Sequence, residues 1–287
     1  MTRPPHTPRR RGACVGARAV ALAAFAALCL GAAPAGAEGA RAPDWREVAP
    51  DNLLLIETSR GSIIVELRPD MAPRSVERVK TLARLGVYDG LLFHRVIDGF
   101  VDQTGNPNNH DGGVSALPDL APEFDTRLAP GAVAIAARRA GMDLGFVGAL
   151  PVAQAGKIAP DGKRRTWALY CAGVAGMGRQ AAPDTANSEI FFMRAPARRL
   201  DREYAAFGRT LVGLDVVRTI AVGVPPPHPD LMVRVRVVAD IPLDHRPRVE
   251  ALNEGGALFR RRVETARRER GADFSPCDVD VSGRTVR

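Results

Sequence analysis

Two apolar runs separated by a polar turn predict a β-hairpin early in the chain. The runs are residues 53–58 (LLLIET) and 63–67 (IIVEL), and residues 59–62 (SRGS) lie between them. Apolar runs that flank a glycine-containing turn are typical of paired strands. In residues 232–239, Val233, Val235 and Val237 alternate with arginines. This period of two predicts a strand with one buried and one solvated face.

A helical spacing of apolar residues occurs twice. Residues 73–86 begin with a proline, which suits the first turn of a helix, and end with a glycine, which can terminate one. Residues 214–220 are the second, shorter case. The apolar positions that define the two predicted faces are Val76, Val79, Leu82 and Ala83 in the first helix and Leu214, Val217 and Ile220 in the second.

Two other segments lack a clear period. Residues 104–190 are rich in Gly, Ala and Pro, so we expect long loops there, with about 140–166 as a loop insertion. Residues 245–287 are an Arg-rich C-terminal extension. Within it we expect a basic, solvated helix at 259–270 and an edge strand at 277–281.

The composition is that of a globular protein. The 287 residues are 46% hydrophobic and 25% charged, which disfavours collagen-like, disordered and coiled-coil classes. The formal net charge of +8 raises the question of a nucleic-acid or anionic membrane partner. The distribution of that charge along the chain changes the interpretation.

The N-terminal segment has the pattern of an export signal. Five arginines and no acidic residue precede Glu38, an apolar stretch covers about 19–33, and residues 34–37 read PAGA. This order predicts a signal peptide at 1–37, cleaved after Ala37, and a periplasmic or secreted protein. The alternative is a membrane anchor, but the apolar stretch is shorter than the ~20 residues that a span needs. Without this segment the net charge is +3, so nucleic-acid binding has little support.

Two of the four cysteines lie in the predicted signal peptide, which leaves Cys171 and Cys277. In an oxidising compartment a disulfide between them is the natural expectation, and two separate buried thiols are the alternative. The disulfide would close a loop of about 106 residues, to which chain-entropy models assign roughly 4–5 kcal/mol of stabilisation.

Searches for generic catalytic motifs are negative. The chain has no H-E-x-x-H, no C-x-x-C, no phosphate-binding loop and no G-x-S-x-G. The histidines that follow the predicted signal peptide are scattered, so we expect no metal site.

Four motifs occur in an order that resembles one known family. Residues 93–107 read FHRVIDGFVDQTGNP and closely resemble the F-H-R-x-I-x-G-F-x-x-Q-x-G-D-P pattern of cyclophilin-type peptidyl-prolyl isomerases. Residues 187–193 (NSEIFFM), 200–209 (LDREYAAFGR) and 212–217 (VGLDVV) are similar to later motifs of that family. The resemblance covers about residues 52–240.

The resemblance implies a fold, an activity and a site. The fold is mainly β, a closed eight-stranded antiparallel barrel capped by two α-helices, at 52–244 after a lead-in at 38–51. The implied activity is peptidyl-prolyl cis-trans isomerisation of proline-containing polypeptides, without cofactor, by a monomer that keeps no membrane anchor after signal cleavage. Arg95 is the implied catalytic residue, and the implied groove residues are Phe100, Val101, Gln103, Gly178, Arg179, Glu189, Phe191, Leu200 and Tyr204.

The chemistry of amide rotation agrees with these residue types. Partial C–N double bonding opposes rotation with a barrier of ~18–20 kcal/mol, and X-Pro bonds exchange over tens to hundreds of seconds. A catalyst therefore needs an apolar slot for the proline ring and a donor that favours the twisted amide. Phe100 and Phe191 can form such a slot, and Arg95 is a fork of permanently charged donors. Taken singly, a phenylalanine is more often core and an arginine more often a solvated charge, so the prediction depends on their joint spacing.

Several positions depart from the family pattern. Glu189 stands where Gln is common and adds a negative charge near the groove, Arg199 stands where some members carry Trp, and residues 176–180 match only loosely. The alternative function is therefore a catalytically weak or inactive proline-peptide-binding or chaperone module of the cell envelope. A third hypothesis is an envelope scaffold that acts through the insertion and the Arg-rich extension.

Overall fold

The computed structural model describes residues 42–108, 114–139 and 141–286. The predicted signal peptide at 1–37 lies outside the described residues. Within the described ranges, no helix has the length and apolar character needed to cross a membrane.

An eight-stranded antiparallel sheet forms the body of the protein. The predicted hairpin is present as its strands β2 and β3, which pair from Leu53 with Glu66 to Thr58 with Gly61. The spatial order of the strands is β14-β2-β3-β13-β11-β12-β5-β4. Their bounds are Leu53–Thr58 (β2), Gly61–Leu67 (β3), Arg95–Ile97 (β4), Val101–Thr104 (β5), Val174–Met177 (β11), Ile190–Met193 (β12), Ala206–Val212 (β13) and Met232–Val237 (β14).

The sheet is strongly curled but open, so the prediction of a closed barrel was wrong. Its edge strands β4 and β14 approach each other through the segments that precede them, where the Phe93 N–H donates to the Asp230 carbonyl at 2.9 Å. Further along β4, the Val96 N–H donates to the Gly223 carbonyl at 2.8 Å, and the Gly223 N–H donates back at 2.9 Å. Because the segment that contains Gly223 occupies the outer edge of β4, strands β4 and β14 do not pair with each other in the described structure.

Alternate residues of the curled sheet belong to two different cores. Leu54 and Ile56 of β2 lie in a core with the apolar face of helix α1 (Pro73–Arg84), whereas Leu53 lies in a second core on the other face of the sheet. Phe191 and Phe192 of β12 divide in the same way. A strand that is covered on both faces reads as an apolar run, which is the pattern that residues 53–56 show.

Helix α1 has the ends that the sequence predicts. Pro73 occupies its first position, and the Val87 N–H donates to the Leu82 carbonyl at 3.0 Å beyond its last residue. Gly86 has φ = 68°, the left-handed conformation that this kind of helix end requires and that glycine adopts without strain. The second predicted helix is α2 (Leu214–Thr219), and Ile220 is buried immediately after it.

The alternation in β14 is interrupted. Val235 and Val237 are buried as predicted, but Val233 is 52% exposed. The register with β2 shifts between Met232 and Arg234, so one extra residue bulges out of the ladder. A bulge of one residue reverses the face on which the preceding residues lie, and Met232 therefore takes the buried position.

The predicted loop insertion is a second antiparallel sheet, so the expectation of long loops was wrong there. Its spatial order is β6-β10-β9-β8-β7. Leu150 to Gln154 are all buried, as are Leu144 to Val147, so both central strands are covered on both faces and show no period of two. The bounds are Thr126–Leu128 (β6), Ala134–Arg139 (β7), Met142–Val147 (β8), Leu150–Ile158 (β9) and Arg164–Ala168 (β10).

The C-terminal extension forms a third sheet with the lead-in segment. Strand β15 (Arg248–Leu252) pairs with β1 (Trp45–Glu47) on one side and with β16 (Arg284–Val286) on the other. The predicted edge strand at 277–281 was misplaced, because Pro276–Asp278 is a 3-10 turn capped by Ser275 and the edge strand is β16. Extended pairing resumes only after that turn.

Helix α3 (Ala257–Arg270) covers the second sheet. Phe259, Val263 and Ala266 are buried, and the Phe259 ring meets Phe146 of β8 edge-on with 5.4 Å between ring centroids. The helix is therefore amphipathic rather than wholly solvated. The predicted disulfide between Cys171 and Cys277 is present, with 5.0 Å between the Cα atoms, and it links the extension to the segment that follows β10.

Candidate active site

One row of residues crosses four neighbouring strands of the eight-stranded sheet. Arg95 of β4 lies opposite Gln103 of β5, Gln103 lies opposite Phe191 of β12, and Phe191 lies opposite Gly176 of β11. Residues that face each other across a sheet point to the same side, so this register brings them to one surface. Strand pairing thus joins positions that are far apart in the chain.

Arg95, Gln103 and Phe191 of this row border a cavity of about 210 Å³. Nine of the ten groove and catalytic residues predicted from the sequence line it, and only Glu189 does not. Their functional roles stay predictions, but their convergence on one cavity is a property of the fold. The lining residues are Arg95, Phe100, Val101, Gln103, Gly178, Arg179, Phe191, Leu200 and Tyr204.

Aromatic rings form the base of the cavity. Phe191 is 5% exposed, and its ring centroid lies 5.8 Å from that of Tyr170 and 5.6 Å from that of Tyr204, which meets it edge-on. Such contacts between rings hold each ring in one orientation. Tyr170 was not predicted from the sequence, since it is buried beneath the groove and outside the four motifs.

Two further arginines cover aromatic rings at the rim. The Arg179 guanidinium carbon lies 4.7 Å from the Tyr204 ring centroid, and that of Arg199 lies 4.3 Å from the Phe100 centroid. Both distances suit cation–π contact. Arg199 therefore takes part in shaping the groove, although the sequence marked it only as a departure from the family pattern.

Arg95 and Gln103 are directly bonded. The Arg95 Nη1–H donates to Gln103 Oε1 at 3.1 Å, and the guanidinium carbon lies 5.9 Å from the Phe100 ring centroid. Arg95 is only half-buried, so its charge stays partly hydrated beside the cavity. A guanidinium has five N–H donors, and the bond to Gln103 occupies one of them.

Glu189 does not line this cavity but lines a smaller neighbouring one, which shares Gly178 and Arg179 with it. Its Oε2 accepts from Gln103 Nε2 at 3.1 Å, and its Oε1 lies 3.1 Å from His94 Nε2. The residue is 8% exposed. The negative charge that the sequence predicted near the groove is therefore in contact with Gln103, which lines the cavity.

Strand β5 carries an ion pair on its opposite face. Asp102 is fully buried between Val101 and Gln103, and its Oδ1 accepts from Arg194 Nη1 at 2.9 Å. Burial raises the pKa of the Asp102 carboxyl to about 7, although Arg194 acts in the opposite direction. Arg194 also donates to the Val217 and Ile220 carbonyls, so it ties the end of α2 to the strand that carries Gln103.

The described residues contain no group of three or more His, Cys, Asp or Glu side chains placed to hold a metal ion. The residues with polar side chains that line the cavity are Arg95, Gln103, Arg179 and Tyr204.

Comparison with known proteins gives a consistent result. A model of the family described as "Cyclophilin type peptidyl-prolyl cis-trans isomerase/CLD" matches residues 53–238. A probable peptidyl-prolyl cis-trans isomerase of Brucella suis biovar 1 is 31% identical over an alignment 238 positions long, which covers 77% of this chain and 96% of the relative. Peptidyl-prolyl cis-trans isomerase-like 1 of Bos taurus is 30% identical over 60% of this chain and 80% of its own.

A solved structure extends the likeness beyond those matched residues. Cyclophilin AquaCyp293 from Hirschia baltica aligns with a TM-score of 0.77 and 30% identity, over 84% of this chain and 93% of its own. Together with the family match and the curated relatives, this likeness shows that the chain belongs to the cyclophilin-type peptidyl-prolyl cis-trans isomerases.

Proposed function

We propose that the cavity binds the proline of an X-Pro segment in an exported polypeptide and that Arg95 is the catalytic residue for rotation about the X-Pro bond. The observation that carries the proposal is the position of Arg95. Its guanidinium stands at the rim of a cavity whose walls are Phe100, Phe191 and Leu200.

The size of the cavity suits a small ring. Sites for drug-sized ligands occupy roughly 300–1,000 Å³, and this cavity of about 210 Å³ lies below that range. The apolar walls favour a group without charge, since burial of a charge in such a place is costly. A pyrrolidine ring fulfils both conditions.

The polar rim suits the amide on either side of that ring. Rotation removes the C–N double-bond character and leaves a pyramidal nitrogen lone pair, which a donor can stabilise in the transition state only. Arg95 lines the cavity and keeps further N–H donors that Gln103 does not use. Gln103 Nε2 has a second N–H besides the one given to Glu189, and this hydrogen can bond a substrate carbonyl.

The proposal of an exported location has two supports. The first is the arginine-rich, then apolar, then small-residue order of residues 1–37. The second is the Cys171–Cys277 disulfide, because disulfides persist mainly in oxidising compartments. Cell fractionation combined with mass determination of the mature N-terminus tests the location, and an intact leader on a cytosolic protein would refute it.

The function is tested with a proline-containing peptide whose cis and trans forms give separate NMR signals. The purified protein should accelerate exchange between them, and Arg95→Ala should lose most of the acceleration. An exchange rate equal to that of the free peptide would refute the enzymatic proposal. Peptide binding without acceleration would instead favour the binding or chaperone module, and full activity in Arg95→Ala would refute the arginine mechanism.

A further inference from the structure

We propose that Glu189 is a positioning residue that fixes the side-chain amide of Gln103 and, through it, the guanidinium of Arg95. The three side chains form a hydrogen-bonded row, of which Gln103 and Arg95 line the cavity. Gln103 Nε2 donates to Glu189 Oε2 at 3.1 Å, and Arg95 Nη1 donates to Gln103 Oε1 at 3.1 Å. The proposal rests on the proposed catalytic role of Arg95.

The two neighbours of the Gln103 amide differ in whether they donate or accept hydrogen bonds. An ionised carboxylate only accepts hydrogen bonds, and a guanidinium only donates them. A glutamine amide can turn over and exchange its oxygen with its nitrogen. Between Glu189 and Arg95, only one orientation satisfies both neighbours. The reversed amide would set oxygen against the carboxylate and NH₂ against the guanidinium.

A glutamine at position 189, which is common in the family pattern, would not impose this choice. Its own amide both donates and accepts, so it can bond either end of Gln103. Glu189 therefore removes an alternative arrangement that would leave Arg95 without its acceptor. Glu189, which departs from the family pattern, thus favours the orientation of the Gln103 amide that bonds Arg95.

The Glu189 side chain is largely enclosed by its neighbours. Residue 189 is 8% exposed, and its Oε1 lies 3.1 Å from His94 Nε2. Its backbone carbonyl accepts from the Gly178 N–H at 2.8 Å. A Cβ at position 178 would lie 2.7 Å from the Glu189 Cβ, so a glycine is needed for this close approach. These contacts limit the space in which the Glu189 side chain can move, so its carboxylate can orient a neighbouring amide.

The test replaces Glu189 with leucine, which keeps the bulk and removes the acceptor, and with glutamine, which keeps an acceptor. Loss of one positioning hydrogen bond should lower kcat/KM for a proline peptide by about fivefold to tenfold in Glu189→Leu, chiefly through kcat. Glu189→Gln should keep at least half of the wild-type rate, because the glutamine can still accept from Gln103 in one of its two amide orientations. Glu57→Leu, which removes a β2 carboxylate that does not line the cavity, should have no effect.

A double-mutant cycle separates positioning from a general structural effect. If Glu189 acts through Gln103, then Glu189→Leu in a Gln103→Ala background should lower the rate by less than about twofold more. The same loss in both backgrounds, or no loss in Glu189→Leu alone, would overturn the proposal.

An activity-independent measurement keeps this test distinct from that of the function. The side-chain amide signal of Gln103, assigned by its absence in Gln103→Ala, should shift in Glu189→Leu and stay in place in Glu57→Leu. An unshifted signal would overturn the positioning role even if the protein is an active isomerase. A shifted signal in a protein that fails to catalyse would support the positioning contact while refuting the proposed function.

Discussion

Phe191 and Gly176 face each other across strands β12 and β11, and the ring of Phe191 occupies the space that a side chain at position 176 would fill. A Cβ placed on Gly176 would lie 2.5 Å from the Phe191 Cζ, closer than real Cβ contacts. The base of the cavity therefore depends on a glycine that does not line it.

Gly176→Ala should displace the Phe191 ring and weaken binding of a proline peptide. The ring cannot retreat easily, because Tyr170 and Tyr204 pack against it. Overpacking of this kind typically costs about 1–3 kcal/mol. Calorimetric titration measures the loss of peptide affinity, and thermal unfolding measures the loss of stability. Gly255→Ala is a matched control, since its new Cβ would meet only ordinary contacts, and equal effects of the two substitutions would contradict the prediction.

Reduction of the Cys171–Cys277 disulfide should lower the unfolding temperature. The bridge spans 106 residues, and chain-entropy models assign a closed loop of that length about 4–5 kcal/mol. Thermal unfolding with and without a reductant measures the change, and Cys277→Ser is the genetic counterpart. The reductant should leave the unfolding temperature of Cys277→Ser unchanged. If the reductant leaves the unfolding temperature of the wild type unchanged, the bridge contributes nothing to stability.

Asp102 should make the stability of the protein depend on pH. Its pKa is raised to about 7 by burial, so the folded state holds a proton that the unfolded carboxyl, with its lower pKa, has already released. The stabilisation is therefore present below the unfolded pKa near 4 and is lost as pH rises toward about 7.

Urea unfolding of wild type and Asp102→Asn at pH 5 and pH 8 tests this dependence. The difference in unfolding free energy between the two proteins should move against the wild type at the higher pH, because the asparagine does not titrate. A difference that stays constant, or that grows in favour of the wild type with pH, would be inconsistent with a raised pKa of Asp102.

Phe259→Ala should loosen the C-terminal extension from the second sheet. The Phe259 ring is buried against Phe146, and truncation of a buried phenylalanine costs about 3–5 kcal/mol. Hydrogen exchange should become faster in α3 and in β8. Arg268→Ala, on the exposed face of the same helix, should leave exchange in β8 unchanged. Unaltered protection of β8 in Phe259→Ala would mean that the extension does not shield the sheet.

Local sequence patterns determined the elements whose ends are marked by residues within the same segment. Helix α1 has a proline at its start and a glycine near its end, and the β2–β3 hairpin has apolar strands around a polar turn. The spacing of Arg95, Phe100 and Gln103 within one motif, together with the later motif that holds Phe191, indicated the family and the site residues. These features were readable because each depends on residues close together in the chain.

Other features depended on what packs against a segment. Strands β8 and β9 are buried on both faces, so no alternation marked them and the second sheet was mistaken for loops. The open edge of the main sheet results from the bonds between Val96 and Gly223, which no local pattern encodes.

The sequence by itself therefore determined the family, the hairpin, the first helices and the set of side chains available to the site. Only the tertiary structure decided that Glu189 bonds to Gln103, that Tyr170 packs against Phe191, and that helix α3 of the extension covers the second sheet. Long-range strand register and burial from a distant segment set these contacts, and they have no period along the chain.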